Sequence, residues 1–100
     1  MSEFQARVLG LVSKIPKGRV TTYKELARAL GNPKACRAVG NILARNPHPL
    51  KIPCHRVVRA DGKIGGYKSG GRRKAKLLVD EDVEIRGGKV NLRECMFKFS

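Results

Sequence analysis

Three prolines within seven residues, Pro47, Pro49 and Pro53, limit what this chain can fold into more than any other feature. Proline lacks a backbone donor and clashes with the preceding turn, so no regular helix crosses this stretch. Before it, apolar residues recur at helical spacing. After it, short β-compatible runs alternate with glycine pairs, and one further helical stretch intervenes. The pattern predicts a mainly α domain with small β hairpins.

Ser2-Glu3-Phe4-Gln5 reads as a capping box. Phe4, Val8, Leu11, Val12 and Ile15 then form one apolar face, stopped by Pro16-Lys17-Gly18. Thr22-Tyr23-Lys24-Glu25 reads as a second capping box, followed by Leu26, Ala27 and Leu30, with Gly31 as the stop. Asn32-Pro33 predicts the start of a third helix, with Asn as cap and Pro in the first turn. Its inward face is Ala35, Val39, Ile42 and Leu43, and Asn46-Pro47 ends it. These last two helices form a helix-turn-helix candidate. Cys54 to Val58 reads as extended, and Asp61-Gly62 as a hairpin turn. A fourth helix is expected from about Arg72 to Glu81, with Ala75, Leu77 and Leu78 inward. Val83-Glu84-Ile85 and Val90-Asn91-Leu92 predict a terminal hairpin around Gly87-Gly88.

The chain has 100 residues and a formal charge of +14, the size of one domain. Residues 7–76 hold 18 Lys and Arg against Glu25 and Asp61 alone, whereas Asp80, Glu81, Asp82 and Glu84 cluster together. A long basic stretch suits a polyanion, either nucleic acid or an anionic membrane surface. No apolar run approaches the roughly 18 residues of a membrane span, and no signal-peptide pattern opens the chain. Three cysteines cannot all pair, which argues for a reducing compartment, cytoplasmic or nuclear. They and two histidines show no zinc spacing, so no metal is expected.

The outward face of the third helix carries Arg37, Gly40, Asn41 and Ala44. Small side chains with one long cation suit shape reading or a minor-groove approach better than base reading in the major groove. The same face also suits packing against another part of the protein. Cys54, next to His55 and near Arg56, lies in a cationic setting that favours the thiolate. On an extended segment, Cys54 and His55 point to opposite faces, so a water or a local turn must link them. A carboxylate from the acidic cluster could orient the histidine. A buried, inert thiol is the other reading of Cys54. Cys36 and Cys95 read as packing residues. Arg72, Arg73 and Lys74 lie at the positive end of the fourth helix and Asp80 and Glu81 at its negative end, against the dipole. This suggests other uses, the cations for phosphates and an acid for His55.

Ile52-Pro53-Cys54-His55-Arg56-Val57 resembles the active-site motif of the O6-alkylguanine-DNA alkyltransferases. Gly18-Arg19-Val20-Thr21-Thr22-Tyr23, Ala38-Val39-Gly40, Arg45-Asn46-Pro47 and Gly65-Gly66-Tyr67 with Lys74, Leu77 and Leu78 resemble the family's other landmarks, in order. The resemblance implies a winged helix-turn-helix-like catalytic domain that repairs DNA by direct reversal. Its substrate would be O6-alkylguanine, with O4-alkylthymine as a second candidate. Cys54 would be the nucleophile, His55 its base acting through a water, and Glu81 the acid orienting His55. Tyr23 would act at the rotated nucleotide, Asn46 as the hinge, and Arg37 in the space of the flipped base. Ala35, Ala38, Gly40 and Asn41 would line the DNA, with Arg72 and Arg73 on phosphates. Pro53, Val57, Gly65, Gly66, Tyr67, Lys68 and Ser69 would form the alkyl-base pocket. No cofactor is implied. The partner is double-stranded DNA entered by the minor groove, with no membrane. A monomer is expected, with cooperativity on DNA left open.

The pattern departs from the family at three places. Family members often carry a preceding domain, so this chain is expected to be the catalytic domain alone. Lys68-Ser69 stands where smaller residues are common, and Cys36 where an Ala-like residue is usual. The short alkyltransferase-like proteins share this size but have their reactive Cys replaced. Cys54 is present here, which argues for transfer rather than damage sensing. A helix-turn-helix regulator remains the other alternative.

Overall fold

The computed structural model describes residues 2–46, 51–64 and 71–99, the Arg72 side chain excepted. Helix α1 covers Glu3–Val12 and opens on a complete capping box. The Ser2 hydroxyl accepts from the Gln5 N–H at 3.1 Å, and Gln5 Oε1 accepts from the Ser2 N–H at 2.9 Å. It ends before Pro16-Lys17-Gly18. The Lys14 and Ile15 N–H groups reach back only three residues, to Leu11 and Val12. A residue preceding proline is disfavoured in the helical region, and the tightened turn carries Ile15 into the core.

Strand β1 (Thr21–Thr22) leads into α2 (Tyr23–Ala29), capped by the Thr22 hydroxyl. The second half of the expected capping box does not form. The buried Glu25 carboxylate instead accepts from Arg28 Nε and Nη2, both at 2.7 Å, and from the Phe99 N–H at 2.9 Å. Arg28, one turn along α2, and the Phe99 N–H from the C-terminal segment take the place of the Thr22 N–H. Gly31, at φ +78°, ends α2 with paired bonds from Gly31 N–H to Arg28 and Asn32 N–H to Ala27.

Helix α3 is Cys36–Ala44, starting later than Asn32-Pro33 predicts. Residues 32–35 close a separate turn through Ala35 N–H and the Asn32 carbonyl at 3.0 Å. The fixed φ of Pro33 serves the second position of a β-turn as well as a helix start. Val39 and Leu43 are buried, and α2 and α3 form the expected helix-turn-helix.

After Ile52 the backbone tightens twice. Cys54 N–H reaches the Ile52 carbonyl at 2.7 Å around Pro53, whose φ −77° and ψ 66° are those of an inverse γ-turn. Cys54–Arg56 then form a turn of 3₁₀-helix, not the extended segment expected. Strand β2 (Val57–Val58) pairs parallel with β1, Thr21 opposite Val57 and Thr22 opposite Val58. This small sheet is therefore not a hairpin: parallel strands need a long crossover, and here it contains α2 and α3. Asp61-Gly62 does turn the chain back, with Arg59 N–H reaching the Lys63 carbonyl at 2.8 Å, and Lys63 also bridges Lys89. Gly62, at φ +89°, presses against Val90, and a Cβ there would lie 2.7 Å from the Val90 carbonyl.

Helix α4 covers Gly71–Asp80. Strands β3 (Ile85–Arg86) and β4 (Lys89–Val90) form the expected terminal hairpin, shorter than predicted. Asn91 ends it by capping a helix unforeseen in the sequence, α5 (Leu92–Cys95). The last residues run back along Val20, with bonds from Val20 N–H to Cys95 and from Phe97 N–H to Val20. The main core joins α1, α2, α3, Cys54, Val57 and Phe99. A smaller one joins Val20, Val58, Leu78, Val83 and Val90. The β1–β2 pair lies between them, so Tyr23 and Cys54 are set by one piece of backbone geometry.

Candidate active site

Cys54 is a buried free thiol at the start of the 3₁₀ turn. Pro53 is buried as well and aims it from the γ-turn. The turn carries the chain from Cys54 through His55 to Arg56 without extended alternation. His55 is 1% exposed, and its Nε2 lies 3.1 Å from Glu81 Oε1. Burial holds the imidazole below its ordinary value of 6.5, against the opposing pull of Glu81. A neutral imidazole that donates Nε2–H to Glu81 keeps its buried Nδ1 as the basic nitrogen.

Glu81 lies just past the end of α4, and its N–H reaches Leu77 and Leu78. Burial pushes its carboxyl up, but Arg56 and His55 outweigh burial and hold it below the usual range. Arg56 donates from Nε to Oε1 at 2.8 Å and from Nη2 to Oε2, and its Nη1 donates to the Ile15 carbonyl at 2.8 Å. The sequence groups Arg56 with His55 as a cationic setting around the thiol. The structure corrects this, because its guanidinium is engaged by Glu81.

Lys74 is the second correction. Grouped in the sequence with cations for phosphates, it is instead fully buried. Its Nζ lies 5.7 Å from the centre of the Tyr23 ring. Burial lowers its pKa to about 8, against an upward pull from a Cys54 thiolate. Burial and Cys54 also push the Tyr23 hydroxyl up, so it stays protonated at neutral pH. One sequence signal was available: Lys74 stands one helical turn before Leu78, on the inward stripe. No pattern pointed to Arg56 as the clamp on Glu81, because the two meet only through the fold.

Asn46 is buried after α3, and its Nδ2 donates to the Ile52 carbonyl at 2.8 Å. It thus ties the end of the helix-turn-helix to the turn that bears Cys54. On α3, Arg37, Ala38 and Asn41 are exposed and Gly40 half-buried. A Cβ on Gly40 would meet nothing within 4 Å among the described residues, so their packing does not require its smallness. Ala35 does not share that face: it is 8% exposed and packs inward. Val57, expected in the pocket, is fully buried in the main core. Cys36 and Cys95 are half-buried, their thiols directed at the Pro33 and Asn91 carbonyls; Cys95 packs on the smaller core, whereas Cys36 belongs to neither core. Arg73 is exposed. Gly65, Gly66, Tyr67, Lys68, Ser69 and the Arg72 side chain lie outside the described residues.

Residues 3–83 match the family model described as 6-O-methylguanine DNA methyltransferase, DNA binding domain. The chain belongs to this family. It is 51% identical over 87 residues to a methylated-DNA–protein-cysteine methyltransferase of Methanothermobacter thermautotrophicus, which covers 86% of this chain and 48% of the relative. The Rattus norvegicus protein of that name is 48% identical over 82 residues, 80% of this chain and 39% of the relative. The chain thus spans about half or less of the length of these alkyltransferases. Among solved structures, S. pombe Atl1 in complex with damaged DNA containing O6-carboxymethylguanine superimposes with a TM-score of 0.85 at 36% identity, over 99% of this chain and 98% of that one. Mycobacterium tuberculosis OGT in complex with DNA gives a TM-score of 0.78 at 43% identity, over 81% and 50%. This chain shares the mostly helical alkyltransferase fold with small sheets with both of these structures.

Proposed function

We propose that this alkyltransferase-family chain repairs DNA by direct reversal, moving the alkyl group of O6-alkylguanine irreversibly onto Cys54. The observation that carries this reading is a buried cysteine followed by a histidine kept neutral and held by a clamped carboxylate. His55 accepts the thiol proton. Cys54 Sγ attacks the alkyl carbon, the carbon–oxygen bond breaks, and its electron pair stays on guanine O6. The Tyr23 hydroxyl hydrogen-bonds to the purine as charge develops. Lys74 offsets the thiolate charge from below. The target base must leave the stack, because a thiolate inside the fold cannot reach O6 within a duplex. Arg37, exposed on α3, fills the vacated space, and the small face around Ala38 and Gly40 permits close approach. Asn46 transmits the position of α3 to Cys54. Arg73, exposed on α4, supplies sequence-independent affinity for phosphates.

The test is intact mass after mixing the protein with an O6-methylguanine duplex. One methyl group should appear, on Cys54, and reaction should then stop. Cys54→Ser should abolish transfer and keep DNA affinity. Label on Cys36 or Cys95, or turnover beyond one methyl per chain, would refute the mechanism. A second reading, damage binding without transfer, draws on the match to Atl1 over nearly its whole length. It predicts tight binding of the lesion with no gain in mass.

A further inference from the structure

We propose that the groove between α2 and the C-terminal segment docks an acidic peptide segment carrying an apolar anchor residue. The groove has a volume of about 630 Å³ and lies apart from Cys54 and His55. Its rim carries Lys24, Arg28, Arg93 and Lys98. The one carboxylate in its wall, Glu25, is already occupied by Arg28 and the Phe99 N–H. Glu25 and Arg28 thus satisfy each other, which leaves Lys24, Arg93 and Lys98 as rim cations with no further carboxylate among the described lining residues, complementary to an occupant with carboxylates.

The floor selects among anionic occupants. Pro33, Ala60, Leu92 and Met96 offer apolar surface and few donors. A phosphate backbone gains little from such a surface, whereas an apolar side chain gains by leaving water there. Met96 also adapts readily to the shape of what it contacts. A peptide with carboxylates flanking one apolar anchor satisfies both rim and floor.

Two features make this a built surface. The C-terminal wall is held by main-chain bonds to Val20 and by the Phe99 contacts to Glu25 and Arg28, so it is ordered before binding. No residue of α3 lines the groove, so an occupant leaves Arg37 and Asn41 uncovered. Leu92, Arg93, Met96 and Lys98 also lie beyond residue 83, where the family match ends. The other lining residues, from Thr22 to Ala60, come from within the matched region, so the groove is closed by the C-terminal segment against α2.

The experiment is fluorescence anisotropy on the full chain in about 0.15 M salt. The probe is a labelled synthetic peptide with Asp and Glu residues on both sides of a Leu-Phe pair. One control replaces Leu-Phe by Ser-Ser, and another replaces the acids by Gln. The parent peptide should bind, and each control should bind at least about tenfold more weakly. Arg93→Glu with Lys98→Glu should weaken the parent by at least about tenfold, with methyl transfer from duplex DNA unchanged. Met96→Ala, which alters no charge, should weaken the parent and spare the Ser-Ser peptide. Absence of parent binding overturns the proposal. So does equal binding of the Ser-Ser peptide, which would indicate diffuse charge attraction. Equal loss of peptide and duplex affinity in the charge-reversed variant also overturns it and assigns the face to DNA. Transfer by Cys54, measured on the same samples, reports separately on the repair reading.

Discussion

Arg56 holds Glu81 by both carboxylate oxygens, and one of these, Oε1, also faces His55 Nε2 at 3.1 Å. Glu81 cannot turn from the imidazole without breaking two charge-assisted bonds, which are stronger and more directional than neutral ones. The orientation of the base thus depends on a residue that touches neither thiol nor substrate.

Arg56→Met should unlock this arrangement. Stability should fall by about 3 kcal/mol, because a mostly buried carboxylate loses its ionic partner. His55 would also lose the repulsion of Arg56, which lowers its pKa. Its pKa should rise, and the acid limb of the single-turnover rate profile should move to higher pH. An unchanged profile would place the base elsewhere.

Acid should unfold the protein in two stages. His55 has a depressed folded pKa, so its contribution is full above its ordinary value of 6.5 and is lost as pH falls below it. Glu25 and Glu81 are also depressed, so theirs is full above the ordinary 4.5 and is lost below that. Melting curves from pH 8 to pH 3 should show both declines. His55→Gln should erase the first and keep the second.

Lys74→Met should separate stability from chemistry. A lysine lowered to about 8 is disfavoured in the fold while charged, and that penalty is relieved as pH rises from about 8 towards the ordinary 10.5. Wild-type stability should therefore gain over that range relative to Lys74→Met. At pH 7 the variant should melt no lower, yet Cys54 should react more slowly without the neighbouring cation. Unchanged thiol reactivity would reduce Lys74 to packing.

Gly40→Ala should act in opposite directions on fold and function. Alanine gains about 0.8–1 kcal/mol in a helix interior, and nothing lies within 4 Å of the added Cβ. Gly10→Ala, equally open in α1, is the control. Both should raise the melting temperature by about 4–8 °C per kcal/mol. Only Gly40→Ala should weaken duplex binding, because the proposed DNA face runs over α3 and not over α1. Unchanged affinity would put DNA elsewhere.

Asp82→Gly should stabilise the protein by about 1 kcal/mol, because Asp82 takes φ +67° after α4, where a side chain is strained. Removing its charge from the negative end of the helix adds to the gain. The pH profile of transfer should not move, since Glu81 and not Asp82 faces His55. A shifted profile would reassign the orienting acid within the cluster.

Much of the helical framework was legible in local chemistry. Ser2 with Gln5, Thr22 as a cap and Gly31 as a stop each act within one turn of backbone. Their meaning does not depend on what packs nearby. The inward stripe of α3 and the pairing of α2 with α3 followed from periodicity for the same reason. The motif around Cys54 carried the family because its residues adjoin in sequence. Tertiary structure decided what no local rule contains. Glu25 left its capping box for the N–H of Phe99, 74 residues away, alongside the local Arg28. Cys54 to Arg56 curled instead of extending, so the cysteine and histidine are joined by a turn. Arg56 was drawn to Glu81, 25 residues away, and Lys74 was buried beside Tyr23 because α4 packs against the turn that bears Cys54. Burial and charge pairing act between residues brought together only by the fold, and these effects determine which cation faces the thiol and which carboxylate holds the base.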